Sequence, residues 1–395
     1  MSFHNGKLSA LVIALAGLGI MIAAPAVTAQ TTPHAATAPA KPSIMDLTSV
    51  KPIEVVPGAP DSHPLRVAGP DDKTFAPAAL AKVQAYSDSL GGHALLVWQG
   101  GVLRYEKYGE GVTAETRFET YSMHKSVLGL VYGAALRDGV IGSLDQTAGE
   151  FLPEWANDPR GRITLRQLLS MESGLSLGPI DVKAELALAA KIDVPPGSRF
   201  EYNNANSEIA GVILDRALKK AGRGDYAAYL SHVLLQPLGA GDAHIWLDHE
   251  GGEPRFFAFL QMRARDWLRV GILIDHQGKF DGAQVLPGAW IKAITTPSAL
   301  NPNYGLQVWI GSPWVRYRSY GPRNPIKISH AEPYLASDLV YFDGFGGERV
   351  YIIPSLDLVI VRVGEASLAF DDSIIPNAVI AGLNPHSPSP SAEKR

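Results

Sequence analysis

Two β-rich runs near opposite ends of the chain constrain the fold most. Residues 94–99 and 102–108, joined by Gly100-Gly101, read as a β-hairpin. Residues 349–353 and 358–363, joined by Pro354-Ser355-Leu356-Asp357, read as a second strand pair. The chain between them, from 140 to about 280, is mainly helical in pattern. Thr164 caps a helix carrying Leu165, Leu168 and Leu169. Residues 208–220 place Ile209, Val212 and Ile213 on one buried side, and 264–276 form a third helix. Strands, helices, then strands predict an α/β chain of the α+β kind. One antiparallel sheet is assembled from both chain ends, helices pack on it, and a helical subdomain is inserted. At 395 residues, 46% of them hydrophobic, the chain has ample material for that core.

The helix after the first hairpin carries the chemistry. In Tyr121-Ser122-Met123-His124-Lys125-Ser126, Ser122 and Lys125 are three apart and share one helical face. Residues 127–136 are apolar nearly all round, the pattern of a helix buried in a large core, which would hold the serine rigidly. A second Ser-x-x-Lys, Ser391 to Lys394, falls in a polar tail and has no such helix behind it. His124, next to the pair, is expected to point away from Lys125 and to be structural.

The ends of the chain read differently from its middle. Lys7, an apolar stretch from 8 to 22 and small residues through Ala29 form an export signal, with cleavage expected after Ala29. The stretch is short for a transmembrane span, so an exported, periplasmic or secreted protein without stable membrane insertion is expected. Residues 30–74, rich in Pro, Ala and Thr, read as a linker, 75–385 as the folded domain, and 386–395 as a disordered tail. A net charge of −4 and a pI near 6.3 give no electrostatic footprint for nucleic acid. The absence of cysteine excludes disulfides, thiolate metal sites and a cysteine nucleophile. No metal-ligand spacing and no cofactor motif is present, so neither is expected.

Two further segments complete a constellation. Tyr202-Asn203-Asn204 directly precedes a helix, and Phe342-Asp343-Gly344-Phe345-Gly346-Gly347-Glu348 leads into a strand. A hydroxyl nucleophile needs a proton acceptor, which either Lys125 or Tyr202 supplies once its pKa is lowered. The glycines let a strand approach a substrate closely, and the N–H groups of Ser122 and Phe345 could then form an oxyanion hole.

Taken in order, these motifs resemble the serine β-lactamase and penicillin-binding-protein superfamily: Ser-x-x-Lys, then Tyr-x-Asn, then the Lys-Thr-Gly position. The Tyr-x-Asn form is similar to the class C-like branch, which includes esterases and 6-aminohexanoate-dimer hydrolases. Further landmarks are Ile163 through Leu175, Phe200-Glu201-Tyr202, Ala264-Arg265-Asp266, Tyr304-Gly305-Leu306 and the stretch from Gly344 to Pro354. The resemblance implies that Ser122 is acylated while Lys125 and Tyr202 share the proton work. It implies that Asn204 bonds the substrate or Lys125, and that Gly344 and Phe345 line the acyl group. The partner implied is a small-molecule ester or amide.

The third motif departs from the family pattern, with Phe342 at the cation position and Asp343 at the threonine. The resulting expectation is an aromatic face, and an anion if Asp343 faces the cleft, at the cleft edge. Uncharged esters come first, small linear amides second and β-lactams last. The aromatics between Trp309 and Tyr320 lie in a long loop, 301–341, that could wall the site, and Arg316, Arg318 or Arg323 could replace the missing cation. The alternatives are a β-lactamase or D-Ala peptidase, a sensor that acylates without turnover or a protein that simply holds a cell-wall fragment, and an α/β-hydrolase. The last would use Ser176 in Gly174-Leu175-Ser176-Leu177-Gly178, but the strand–turn–helix that such an elbow needs is not in the pattern.

Overall fold

The computed structural model describes residues 51–178 and 181–384. The export signal and the whole of the expected tail lie outside the described residues.

The expected linker is ordered where the structure describes it. Ile53–Val56, β1, pairs antiparallel with a strand at Ala243–Trp246. Beyond it, Ala59 N–H donates to Ala240 O at 2.8 Å. The run Ile53-Glu54-Val55-Val56 is short and flanked by Pro52 and Pro57, so its β character is hidden in a Pro-rich composition.

Pro77–Ser89 forms α1, opened by proline at the first turn, where no amide is needed. Gly92–Gln99 and Val102–Tyr108 are β2 and β3, turned through Gly100 and Gly101, both at positive φ. Arg117–Glu119 is β4, and Met123–Arg137 is α2, buried from Met123 to Ala135 as its all-round apolar pattern requires. Leu165–Leu169, α3, starts at a capping box of Thr164 and Gln167. Ala184–Leu188 is α4, and Asn204–Lys220 is α5, capped by Asn203, whose side chain accepts from Ala205 N–H. Tyr226–Leu230, α6, precedes β5 (Ala243–Trp246) and β6 (Leu260–Arg263).

The helical middle therefore contains strands. Among the described residues, β1, β5, β6 and β4 make an antiparallel sheet in that order. Ala264–Asp275, α7, follows, then the hairpin β7 (Lys279–Phe280) and β8 (Ala283–Gln284), and α8 (Gly288–Ile294).

The region 301–341 is only partly loop. It holds β9 (Trp309–Ile310) and a small hairpin of β10 (Tyr317–Ser319) with β11 (Lys327–Ser329). Val340–Gly344, Glu348–Ile353 and Leu358–Gly364 are β12, β13 and β14, and Ile374–Ala381 is α9. The main sheet runs β3-β2-β14-β13-β12-β9, so the two ends of the chain meet at the β2–β14 pairing. That is the arrangement expected from the sequence. One face of this sheet buries Leu96, Phe342, Val350, Val359 and Val361 in the core that contains α2 and α7. The other face buries Leu95, Tyr341, Tyr351 and Ile360 against α1 and α9.

Candidate active site

Ser122 ends the connection from β4 and caps α2. The preceding Tyr121 is left-handed, with φ 47°, and its N–H donates to Glu119 Oε1 at 2.6 Å. One turn on, Lys125 is 1% exposed. Its Nζ lies 2.9 Å from Ser122 Oγ, 2.9 Å from Asn204 Oδ1 and 2.6 Å from Phe257 O. Burial pulls this amine down to about 7, against the opposite pull of Asp343.

A neutral amine has two hydrogens and one lone pair. Asn204 Oδ1 and Phe257 O can only accept, so they take the two hydrogens. The lone pair is left for the Ser122 hydroxyl.

Tyr202 stands at the entrance to α5, its N–H donating to Tyr320 O at 2.7 Å. Its ring is held by Tyr304, Trp309 and Tyr320, with the Tyr320 centroid 4.9 Å away. Burial raises the phenol well above its ordinary value, and Tyr304 and Asp343 add to the rise. Its hydroxyl lies close enough to Ser122 for the serine to pull its pKa down slightly against that rise. The sequence left the lowered pKa open to either partner. Here it falls on Lys125, and Tyr202 stays a protonated phenol near neutral pH.

Gly344 and Phe345 reach the same place. A Cβ on Gly344 would sit 2.4 Å from Thr120 O, so only glycine lets β12 end against the segment leading to Ser122. Phe345 follows, its ring 6.1 Å from that of Tyr121. β9 pairs with β12 only at Val340 and Tyr341, which leaves the edge from Phe342 to Gly344 outside that pairing. Ser122, Lys125, Tyr202, Asn204, Gly344 and Phe345 thus converge from three distant segments.

Two expectations about the cleft edge need correction. Phe342 is fully buried, on the core face against Trp267 at 6.5 Å, and offers no aromatic wall. Strand alternation puts Asp343 on the opposite face, but it is not a free anion. It accepts from Arg318 at 2.8 and 2.9 Å and from the Tyr320 hydroxyl at 2.8 Å, and pairs with Arg349 at 2.6 Å. Burial opposes ionisation there, yet the two guanidinium groups outweigh it and hold the carboxyl below its ordinary range. Arg318 and Arg349 also bind Asp372, and Arg323 binds Glu201 and Asp193. Arg316 is exposed and lies over Tyr317.

His124 is turned away, as expected. Its ring nitrogens meet Ala258 O at 3.0 Å and the Tyr226 hydroxyl at 3.1 Å, and burial lowers its pKa to about 4. Ser176 lies in extended chain beside Lys191, whose N–H donates to its Oγ at 3.2 Å. What precedes it is α3 and a bend rather than a strand, so the elbow geometry is not formed. Among the described residues, Asp275, His276 and Asp357 could gather a cation, but His276 already bonds Asp357 at 2.9 Å.

The β-lactamase family model matches residues 79–366, most of the chain and all of the site. The chain belongs to the β-lactamase family. That family is one of serine hydrolases, and the chain has the mixed, antiparallel-sheet architecture of its solved structures. A Bacillus anthracis protein provisionally assigned as a 6-aminohexanoate-dimer hydrolase superposes with a TM-score of 0.66, at 22% identity, covering 85% of this chain and 91% of that one. The 6-aminohexanoate-dimer hydrolase of Paenarthrobacter ureafaciens is 25% identical over 230 residues, 51% of this chain and 56% of that protein. Protein flp of Staphylococcus aureus (strain NCTC 8325 / PS 47) is 26% identical over 173 residues, 38% of this chain. The matched stretch spans 33% of that staphylococcal protein's length.

Sequence reasoning missed two groups of this β-lactamase-family site. The Phe257 carbonyl is a backbone atom and carries no side-chain signal. Glu208 did carry one: a charged residue on the buried stripe of α5, four positions after Asn204.

Proposed function

We propose that this chain is an exported serine hydrolase that cleaves uncharged carboxylic esters, and small linear amides second, through an acyl-enzyme on Ser122. The observation that carries the proposal is the buried Lys125 amine, whose two acceptor-only neighbours leave its lone pair facing the Ser122 hydroxyl. Lys125 takes the serine proton as Oγ attacks the carbonyl carbon. Tyr202, a phenol beside Ser122, relays that proton from Lys125 to the departing alcohol or amine. The N–H groups of Ser122 and Phe345 receive the oxyanion, a contribution of roughly 3–4 kcal/mol for one donor. Water then attacks the acyl-enzyme ester, Lys125 accepts its proton, and Ser122 Oγ leaves the acyl carbon and takes that proton back as the carboxylic acid departs.

The substrate preference rests on charge. Arg318, Arg349 and Arg323 are committed to carboxylates, so none of them is offered to an anionic acyl group. The uncharged-substrate reading therefore survives on a different ground from the one the sequence suggested. Its test is kcat/KM for p-nitrophenyl butyrate against a chromogenic cephalosporin. Higher efficiency with the butyrate supports the reading, and higher efficiency with the cephalosporin removes it. A burst without steady turnover on the ester would make the chain a sensor instead.

A further inference from the structure

One buried ionisable group lies directly under the proposed base without touching it. Glu208 is 0% exposed and sits one helical turn after Asn204, on the same side of α5. Its Oε2 accepts from Phe256 N–H at 2.8 Å and from Phe257 N–H at 3.2 Å. Its Oε1 has no hydrogen-bond partner among the described residues. The second residue held in this way, Phe257, is the one whose own carbonyl, in the next peptide unit, takes the 2.6 Å bond from Lys125. Gly211, nearly another turn along, keeps the contact close: a Cβ there would fall 1.8 Å from the Phe256 ring. One stripe of α5 therefore acts on Lys125 twice, directly through Asn204 and through the clamped segment 256–257.

We propose that Glu208 is a positioning residue of the hydrolase reaction, which clamps the Phe256 and Phe257 amides so that the Phe257 carbonyl aims the lone pair of Lys125 at Ser122. The proposal rests on the reading of Lys125 as base. The clamp works through geometry, and a neutral carboxyl suits it. Lys125, Arg255 and Asp248 are the charged groups that face this carboxyl. Burial raises it well above the usual carboxylate range, and Asp248 adds to the rise, while the two amides and Arg255 pull the other way. A full negative charge beneath Lys125 would favour the ammonium, which has no lone pair to offer.

Two conservative variants of the full chain separate geometry from charge. Glu208→Gln keeps the reach and one carbonyl oxygen for both amides but removes the acid. Glu208→Asp keeps the acid but withdraws it by one methylene. Rapid mixing with p-nitrophenyl butyrate gives burst amplitude, kcat and KM per active site, and the pH profile gives the acid limb. The expected result is kcat within about threefold of wild type for Glu208→Gln, with its acid limb in place. For Glu208→Asp the expected loss in kcat is at least roughly tenfold with little change in KM, because small misplacements at a reacting group are costly.

The reverse order of the two variants overturns the proposal. So does wild-type kcat in both, equal loss in both, or a downward shift of the acid limb in Glu208→Gln, which would show that Glu208 acts as a charge. Failure of the wild-type chain to acylate at all is a different result, and it removes the underlying reading of Lys125 and Ser122.

Discussion

The Lys125 amine sits 2.9 Å from the Ser122 hydroxyl inside a pocket that excludes solvent from the lysine. An ammonium there would be costly, and the pKa near 7 is the result of that cost. Activity requires the neutral amine, so kcat/KM for an ester should rise with pH through an inflection near 7 and level off above it. A profile that climbs instead through about 10, with no inflection near neutrality, would show an unperturbed lysine or a tyrosinate base.

Tyr202 should behave as a proton relay with its own proton in place. Tyr202→Phe is expected to lower kcat by roughly 10²-fold, within the usual range for a general acid–base group, with a small change in KM. The acid limb near 7 should remain, because it belongs to Lys125. Loss of that limb in Tyr202→Phe would return the base role to the tyrosine.

Burying Lys125 should also cost stability in a defined pH window. Its folded pKa lies below its unfolded value, so the unfolded chain binds the extra proton between the two. The destabilisation is absent above about pH 10.4, grows as pH falls, and is complete below about 7; its size is roughly 4–5 kcal/mol. Lys125→Met should therefore unfold at higher denaturant than wild type at pH 6.5, and the gap should close toward pH 10. Denaturant titrations of both proteins across that range measure it. A gap that does not vary with pH contradicts the assignment.

Asp343 should prove structural first. It lies between Arg318 and Arg349, both almost fully buried and both shared with Asp372. Asp343→Ala leaves buried guanidinium charge short of a partner, a loss expected at roughly 3–5 kcal/mol. Thermal unfolding of the variant checks this, and a melting temperature near that of wild type would contradict it.

Some of this arrangement is legible from sequence and some is not, for physical reasons. Ser122 and Lys125 share a helical face by spacing alone, and the all-apolar run after them announces a buried helix. The two halves of the main sheet are legible because β13 and β14 are dense in β-branched and aromatic residues, and a Gly-Gly turn joins the apolar β2 to β3. β5 and β6 are short strands within a helical stretch, and β1 is framed by prolines, so none of the three stands out. The side a strand residue faces depends on register. Pattern alone therefore puts Phe342 and Asp343 at the cleft edge, although one lies in the core and the other in an ion network. Two of the groups that hold Asp343, the Arg318 guanidinium and the Tyr320 hydroxyl, come from a segment whose pattern reads as loop. Glu208 and the Phe257 carbonyl act on Lys125 through a backbone contact that no motif encodes.

The claim on which everything else depends is the covalent role of Ser122. Fluorophosphonate labelling followed by intact mass and peptide mapping tests it most directly. One adduct on Ser122 is predicted in the wild-type chain and in Ser176→Ala, with labelling abolished in Ser122→Ala. An adduct on Ser176, or labelling that persists in Ser122→Ala, would contradict the account.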